Sequence, residues 1–240
     1  MSSPTDRATL LARLIAGSNE LGLPLDSSRS EALIDYIALL ARWNDTYNLT
    51  AVRDTADMVT RHLLDSLAIA PHVRGQTLID LGTGAGLPGI PLAVLEPQRT
   101  VTLVDSNGKK TRFLREAVRV MGLSNVRVEQ ARAEDLRGSF DCVVARAFAS
   151  IADFLRLGGH LLAPDGLCLA MKGQLSEDEI LGMPAGYAVR EIVPLKVPGL
   201  GAARHLVIIN RCDDEATQAA TSGEQARRVR GDEFSPTSGP

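Results

Sequence analysis

The sequence predicts an α/β fold, a mostly parallel sheet of seven strands with helices on both faces and an N-terminal helical extension. Three observations carry this. From residue 76 onward, short and nearly continuous apolar runs alternate with amphipathic ones, the pattern of parallel strands buried on both faces. A glycine-rich turn follows the first apolar run and opens a helix. Before residue 76, apolar residues recur at helical spacing instead.

The elements follow in order. In residues 1–75, Ser28-x-x-Glu31 is a capping-box signature, followed by Leu33, Ile37 and Leu40 on one helical face. A second amphipathic run sets Val59, Leu63, Leu67 and Ala70 on one face and stops at Pro71. Between them, Trp43–Thr50 is polar and reads as a loop pinned by a core tryptophan. Strands are predicted at Thr77–Leu81, Val101–Asp105, Val126–Glu129, Asp141–Ala145 and Leu167–Met171. Helices are predicted around Pro88–Leu95, Lys109–Met121 (ended by Gly122) and Ile151–Leu157. Tyr187–Val197 and His205–Asn210 have no clear helix between them, which fits an antiparallel hairpin at the sheet edge. Residues 76–212 thus form the ligand-binding domain, and 213–240, poor in large apolar groups, read as a disordered tail.

Composition excludes several classes. The chain has 240 residues, 45% hydrophobic and 23% charged, enough to bury a substantial core. No apolar run approaches the ~18 residues of a membrane span, and Arg13 breaks the apolar stretch Leu10–Ile15, so no signal peptide is read. A cytoplasmic location is expected. Three scattered cysteines and four scattered histidines offer neither a disulfide framework nor a metal site. The net charge of −3 argues against a general nucleic-acid coat. Yet residues 99–132 carry eight basic groups against three acidic ones, which is either a solvated helix face or a surface for an anionic partner.

The segment Asp80-Leu81-Gly82-Thr83-Gly84-Ala85-Gly86-Leu87-Pro88-Gly89 carries the clearest chemistry. Its glycines allow a sharp turn and close approach of a ligand to the main chain, as in Rossmann-like folds. Gly84, Gly86 and Gly89 satisfy G-x-G-x-x-G, and Asp105 ends the next strand where a ribose-binding acid belongs. This pattern fits either a nicotinamide dinucleotide (NAD) or S-adenosylmethionine (SAM). Charge favours SAM. A carboxylate at Asp80 repels a pyrophosphate but suits the ammonium of a methionine moiety. Asp80 also reads as a strand-end residue that bonds the loop backbone. Ala133-Glu134-Asp135 follows the third strand, at the same carboxyl edge of the sheet, where Ala133 and Glu134 address an adenine or Glu134 and Asp135 simply cap a helix.

The acceptor is narrowed by exclusion. An exocyclic-amine methyltransferase often carries an Asn/Asp-Pro-Pro-aromatic tetrad after the fourth strand; this chain has Ala145-Arg146-Ala147-Phe148. Pyrimidine C5 chemistry needs an exposed cysteine, and Cys142 lies inside an apolar strand. An acceptor with its own lone pair, such as guanine N7, needs only positioning and exclusion of water. Arg146 and Lys172 end their strands at the pocket mouth, as clamps for a phosphate or base edge or as partners of nearby acids.

Several further segments complete a pattern: Trp43-Asn44, Tyr47–Thr50, Val52–Asp54, Arg61-His62, Leu64–Ser66, Leu103–Ser106, Phe113–Arg115, Arg132–Asp135, Arg146–Ala149, Lys172-Gly173 and Arg204–Val207. With the glycine loop, over residues 30–211, the chain resembles the bacterial 16S ribosomal RNA (guanine-N7)-methyltransferases, also called glucose-inhibited division protein B. The resemblance implies a class I SAM-dependent methyltransferase acting on the guanine numbered 527 in the 530 loop of 16S rRNA. It implies SAM contacts at Gly82, Leu87, Ala133, Glu134 and Arg146, with Asp105 on the ribose. Asp80, Gly84 and Gly86 join them from the loop reading. Arg132, Lys172 and Arg204 match positions expected to face RNA, and Trp43–Thr50 becomes part of the substrate-side wall. Arg146 is the expected catalytic residue. The partner is 16S rRNA or the small ribosomal subunit, with the protein a monomer and no metal or membrane involved. Ala145 departs from the family, where a serine commonly precedes the arginine. An NAD-dependent oxidoreductase and a SAM-sensing, ribosome-binding module without turnover are the alternatives.

Overall fold

The computed structural model describes residues 6–146 and 148–212, with Gly223, Glu224 and Arg227. The predicted disordered tail lies almost wholly outside the described residues. The chain opens with two helices, α1 (Arg7–Glu20) and α2 (Ser27–Tyr47). Asp26, not Ser28, is the N-cap of α2, and its side chain accepts a bond from the Arg29 N–H. The helix also runs through Trp43 to Tyr47, seven residues beyond Leu40, so most of the predicted loop is helical. It stops at Asn48, which adopts the left-handed conformation (φ 51°). Trp43 packs on Tyr47 and on Phe113, which favours its core role over a place in a substrate wall.

A short helix α3 (Thr55–Met58) runs into a π-helical segment, Val59–Leu64, and then into α4 (Asp65–Leu67). The sheet follows, with β1 (Thr77–Leu81), α5 (Gly89–Leu95), β2 (Thr100–Val104), α6 (Gly108–Met121) and β3 (Val126–Glu129). Next come β4 (Phe140–Arg146), α7 (Ile151–Gly158), β5 (Leu162–Lys172), α8 (Glu177–Leu181), β6 (Tyr187–Pro194) and β7 (His205–Arg211). Asn107 caps α6, and Gly122 (φ 64°) ends it, as its position after Met121 predicts.

The seven strands form one sheet in the order β3-β2-β1-β4-β5-β7-β6. β1 to β5 are parallel, and β7 runs antiparallel to both its neighbours. The predicted terminal hairpin is present, with its second strand inserted inside the first. The order reverses between β1 and β4, which opens a crevice at their carboxyl ends.

Two apolar clusters cover the faces. One joins Leu14, Leu33, Ile37, Leu63 and Leu67 of the N-terminal helices to Leu78, Leu103 and Val144 of the sheet and to α5 and α6. The other packs Ile79, Leu81 and Val143 against Ile151, Phe154 and Ile180 of α7 and α8. The N-terminal helices therefore share one core with the sheet and are fixed beside its carboxyl edge. No helix among the described residues is long and apolar enough to cross a membrane.

Candidate active site

The glycine loop is held from three sides. Gly82, Gly84 and Gly86 have φ of 64°, 61° and 91°, a region that L side chains rarely adopt. Asp80 lies fully buried beneath the loop, where its Oδ2 accepts bonds from the Thr83 hydroxyl (2.5 Å) and the Gly89 N–H (2.8 Å). That explains the glycine at 89: a Cβ there would sit 2.2 Å from Leu103 and 2.9 Å from Asp80 Oδ2. Burial pushes the Asp80 carboxyl up to about 7, against the lowering effect of Thr83, Gly89 and Arg146. The loop-tying alternative for Asp80 is therefore realised at one oxygen. The other, Oδ1, is buried and has no hydrogen-bond partner among the described residues.

Asp105 ties the loop from the next strand. Its Oδ2 accepts from the Gly84 N–H (3.0 Å) and lies 3.4 Å from Lys110 Nζ, while Oδ1 accepts from the Asn107 N–H (2.8 Å). The third tie comes from α2, where the buried Tyr36 hydroxyl donates to the Ala85 carbonyl at 2.6 Å. Its distance in sequence from the glycines hid this contact, since a buried tyrosine in a helix otherwise reads as core.

A cleft of about 550 Å³ opens at the carboxyl ends of β4 and β5. Its lining includes Arg61, His62, Asp65, Arg146, Lys172 and Arg204. Phe148 joins it to the glycine loop, since a Cβ on Gly82 would lie 3.4 Å from the Phe148 ring. Asp65 is at the centre of the charges: its Oδ2 is 3.3 Å from Arg146 Nη1 and its Oδ1 is 3.0 Å from Arg204 Nε. Arg146 Nη1 also donates to the Arg61 carbonyl (3.1 Å). Lys172 pairs with Glu179 of α8 at 2.6 Å. The paired-surface alternatives for Arg146 and Lys172 thus hold together with their place in the cleft.

His62 sits in the wall, bonded through Nε2 to the Thr50 hydroxyl (2.9 Å). Burial, helped by the Arg146 charge, lowers it to about 4, so the ring is neutral at physiological pH. The buried cysteines of β4 and β5 are the opposite of activated, because burial raises the Cys142 thiol to about 11 and raises Cys168 as well.

Of the residues singled out from sequence, Asp80, Gly82, Gly84, Gly86 and Asp105 meet at the loop, and Arg146, Lys172 and Arg204 meet in the cleft. Leu87 adjoins the loop with its side chain buried in the apolar cluster, and its N–H donates to the Thr83 carbonyl at 3.0 Å. Ala133 and Glu134 form a short turn after β3; Ala133 packs on the second cluster and Glu134 is exposed. Arg132 is not brought to the cleft. It is exposed beyond the edge strand β3, 3.8 Å from Glu134, while Lys172 ends β5 on the other side of β1. Arg61, His62 and Asp65 belong to a segment that the resemblance marks, but the residues alone gave it no chemistry.

A seven-stranded, mostly parallel sheet with this strand order, a glycine loop after β1 and an acid after β2 defines a class I SAM-dependent methyltransferase. Solved structures agree on the fold. TrmN from Thermus thermophilus matches with a TM-score of 0.52 at 22% identity, over 64% of this chain and 53% of that one. A SAM-dependent methyltransferase from Aquifex aeolicus matches with 0.51 at 18% identity, over 61% and 90%. The model of the family described as rRNA small subunit methyltransferase G matches residues 29–207. Ribosomal RNA small subunit methyltransferase G of Stenotrophomonas maltophilia is 55% identical over 204 residues, 84% of this chain and 95% of that protein. The enzyme of the same name from Xanthomonas campestris is 56% identical over 189 residues, 78% and 89%. The chain belongs to this methyltransferase family, which decides for SAM over NAD as its cofactor.

Proposed function

We propose that the protein transfers the methyl group of SAM to N7 of a guanine in 16S rRNA, the guanine numbered 527 in the 530 loop, and does so in the cytoplasm. The observation that carries this reading is the cation-lined cleft joined through Phe148 to the glycine loop. The relatives' name supports an rRNA substrate. The choice of guanine N7 rests on the sequence resemblance and on what the cleft lacks.

The loop fits SAM on its own evidence. The buried, unpartnered Asp80 Oδ1 suits an ammonium. A side chain at Gly84 would be strained, which keeps the main chain bare for a close ligand. Asp105 Oδ1 accepts one bond from the protein and keeps a lone pair for a ribose hydroxyl. The backbones of Gly82 and Leu87 flank the methionine end, and Ala133 with Glu134 the adenine. When bound, SAM supplies an electrophilic methyl group on a sulfonium.

The cleft side chains bind and orient rather than move protons. His62 is too weakly basic at neutral pH, Asp65 is engaged by two arginines, and both cysteine thiols of the sheet are protonated. Such a site suits an acceptor whose lone pair is already free, and N7 of guanine has one. Arg146 sits between loop and cleft and orients the base, while Lys172 and Arg204 hold phosphates. The helices of 1–75 form the substrate-side extension of the SAM-binding unit, 76–212.

The test replaces the target nucleotide with 7-deazaguanosine in a small-subunit RNA. We expect methyl transfer from labelled SAM to fall to background while RNA affinity stays within about threefold, since one base edge is worth ~1 kcal/mol or more only when it is hydrogen-bonded. Transfer at the normal rate to the 7-deaza RNA would place the acceptor elsewhere.

A further inference from the structure

We infer that Asp65 is a positioning residue, an internal counter-ion that aims Arg146 and Arg204 and limits the positive charge of the cleft until RNA enters it. This rests on the rRNA reading above. The carboxylate is 3% exposed and meets one guanidinium at each oxygen. Those arginines come from different parts of the sheet, the end of β4 and the approach to β7, and nothing else described on the cleft wall neutralises both. Without Asp65, two guanidiniums would face each other in a partly buried site.

The way Asp65 grips them matters as much as its charge. Arg146 makes its two protein bonds, to Asp65 and to the Arg61 carbonyl, through Nη1 alone. Arg204 uses Nε on Asp65 and Nη1 on the Ala203 carbonyl. Arg146 Nε and Nη2, and Arg204 Nη2, make no hydrogen bond among the described residues. Both side chains are about a quarter exposed, at 24% and 26%. Each guanidinium is thus fixed by part of its fork and offers the remainder to the cleft, an arrangement suited to phosphate oxygens or a base edge.

The mount is rigid. Asp65 directly follows the π-helical segment, an uncommon element often found at functional sites. The segment is pinned by His62 to Thr50, and the Ser66 hydroxyl donates to the His62 carbonyl.

The experiment uses the full-length chain, wild type, Asp65→Asn and Asp65→Glu. It measures SAM affinity, affinity for a small-subunit RNA at two salt concentrations, and kcat and KM for methyl transfer. For Asp65→Asn we expect kcat to fall by about 10²-fold as Arg146 loses its aim. RNA affinity should rise severalfold with a steeper salt dependence, because one negative charge has left the cleft. SAM affinity should stay within about twofold, a shift of ~0.4 kcal/mol at most. Asp65→Glu, which keeps the charge and guards against a misfolded Asn variant, should keep wild-type RNA affinity and recover part of kcat. Parallel loss of SAM binding, RNA binding and kcat in both variants would reduce Asp65 to a structural role and overturn the inference. So would wild-type kcat in Asp65→Asn. A wild-type enzyme that binds SAM but transfers nothing to rRNA would overturn the underlying reading and the inference with it, an outcome the variants' behaviour cannot imitate.

Discussion

At the residue scale, Asp80 joins stability to binding. Burial raises the Asp80 carboxyl to about 7, and its Oδ1 has no hydrogen-bond partner among the described residues. An ammonium placed there favours the ionised form, so binding SAM below pH 7 must release a proton. SAM affinity should therefore rise as pH increases from 6 to about 7 and level off above, as read by calorimetry across that range. Asp80→Asn should flatten the profile and weaken binding at pH 8. His62 sets a separate acid limit. Its folded value lies near 4, below its ordinary 6.5, so the unfolded chain takes up the proton first. Its contribution to stability is complete above 6.5 and is lost as pH falls towards 4. His62→Gln should melt with less dependence on pH in that window. Arg146→Ala should lower the melting temperature, because it takes one of two guanidiniums from the buried Asp65, yet leave the protein folded, and should lower kcat by about 10²-fold or more, the scale of a lost positioning contact.

At the scale of elements, α2 reaches the cofactor loop. Tyr36→Phe removes one hydroxyl and leaves the buried Ala85 carbonyl unpaired, at a cost of about 1–3 kcal/mol. Thermal melting should register the loss, and SAM affinity should fall with it, because the Ala85 turn lies between Gly84 and Gly86. Most elements were readable from the sequence. β1 and β3 begin and end where their apolar runs do, and Gly122 stops α6 as expected. The failures have local causes. The polar run Trp43–Tyr47 looks like a turn, but it continues α2 because Trp43 and Tyr47 stack on each other one helical turn apart. The face drawn through Val59, Leu63 and Leu67 is buried as drawn, but the π-helical form of Val59–Leu64 was not foreseen. His62 lies in that segment and Asp65 directly after it, both on the cleft, and no period in the sequence announces it. α8 was missed because five residues are too few for a periodicity.

At the scale of the whole molecule, charge is separated. The chain carries −3 overall, yet Lys109, Arg112, Arg115 and Arg119 lie exposed along α6. Of these, only Arg119 has an acidic partner among the described contacts, Glu116. The stripe starts at the ligand edge of the sheet, about three strand spacings (~14 Å) from the cleft at the end of β5. The double charge reversal Arg112→Glu with Arg115→Glu should weaken RNA binding and flatten its salt dependence, with SAM affinity unchanged, in a titration at low and moderate salt. The candidate site was half readable. Its cofactor side is contiguous in sequence, so the glycine loop and Asp105 stood out. Its acceptor side is assembled from a π-helical segment, two strand ends and the approach to β7, which only the fold unites. Arg132, grouped with Lys172 and Arg204 by the resemblance, lies across the sheet from them. We propose above all that the cleft presents a guanine N7 of small-subunit rRNA to SAM. The most direct measurement is transfer of labelled methyl from SAM to unmethylated small subunits and to their stripped rRNA, with the modified base mapped. A single N7-methylguanine in the 530 loop is the predicted result; label on any other base, or none from protein that binds SAM, would contradict it.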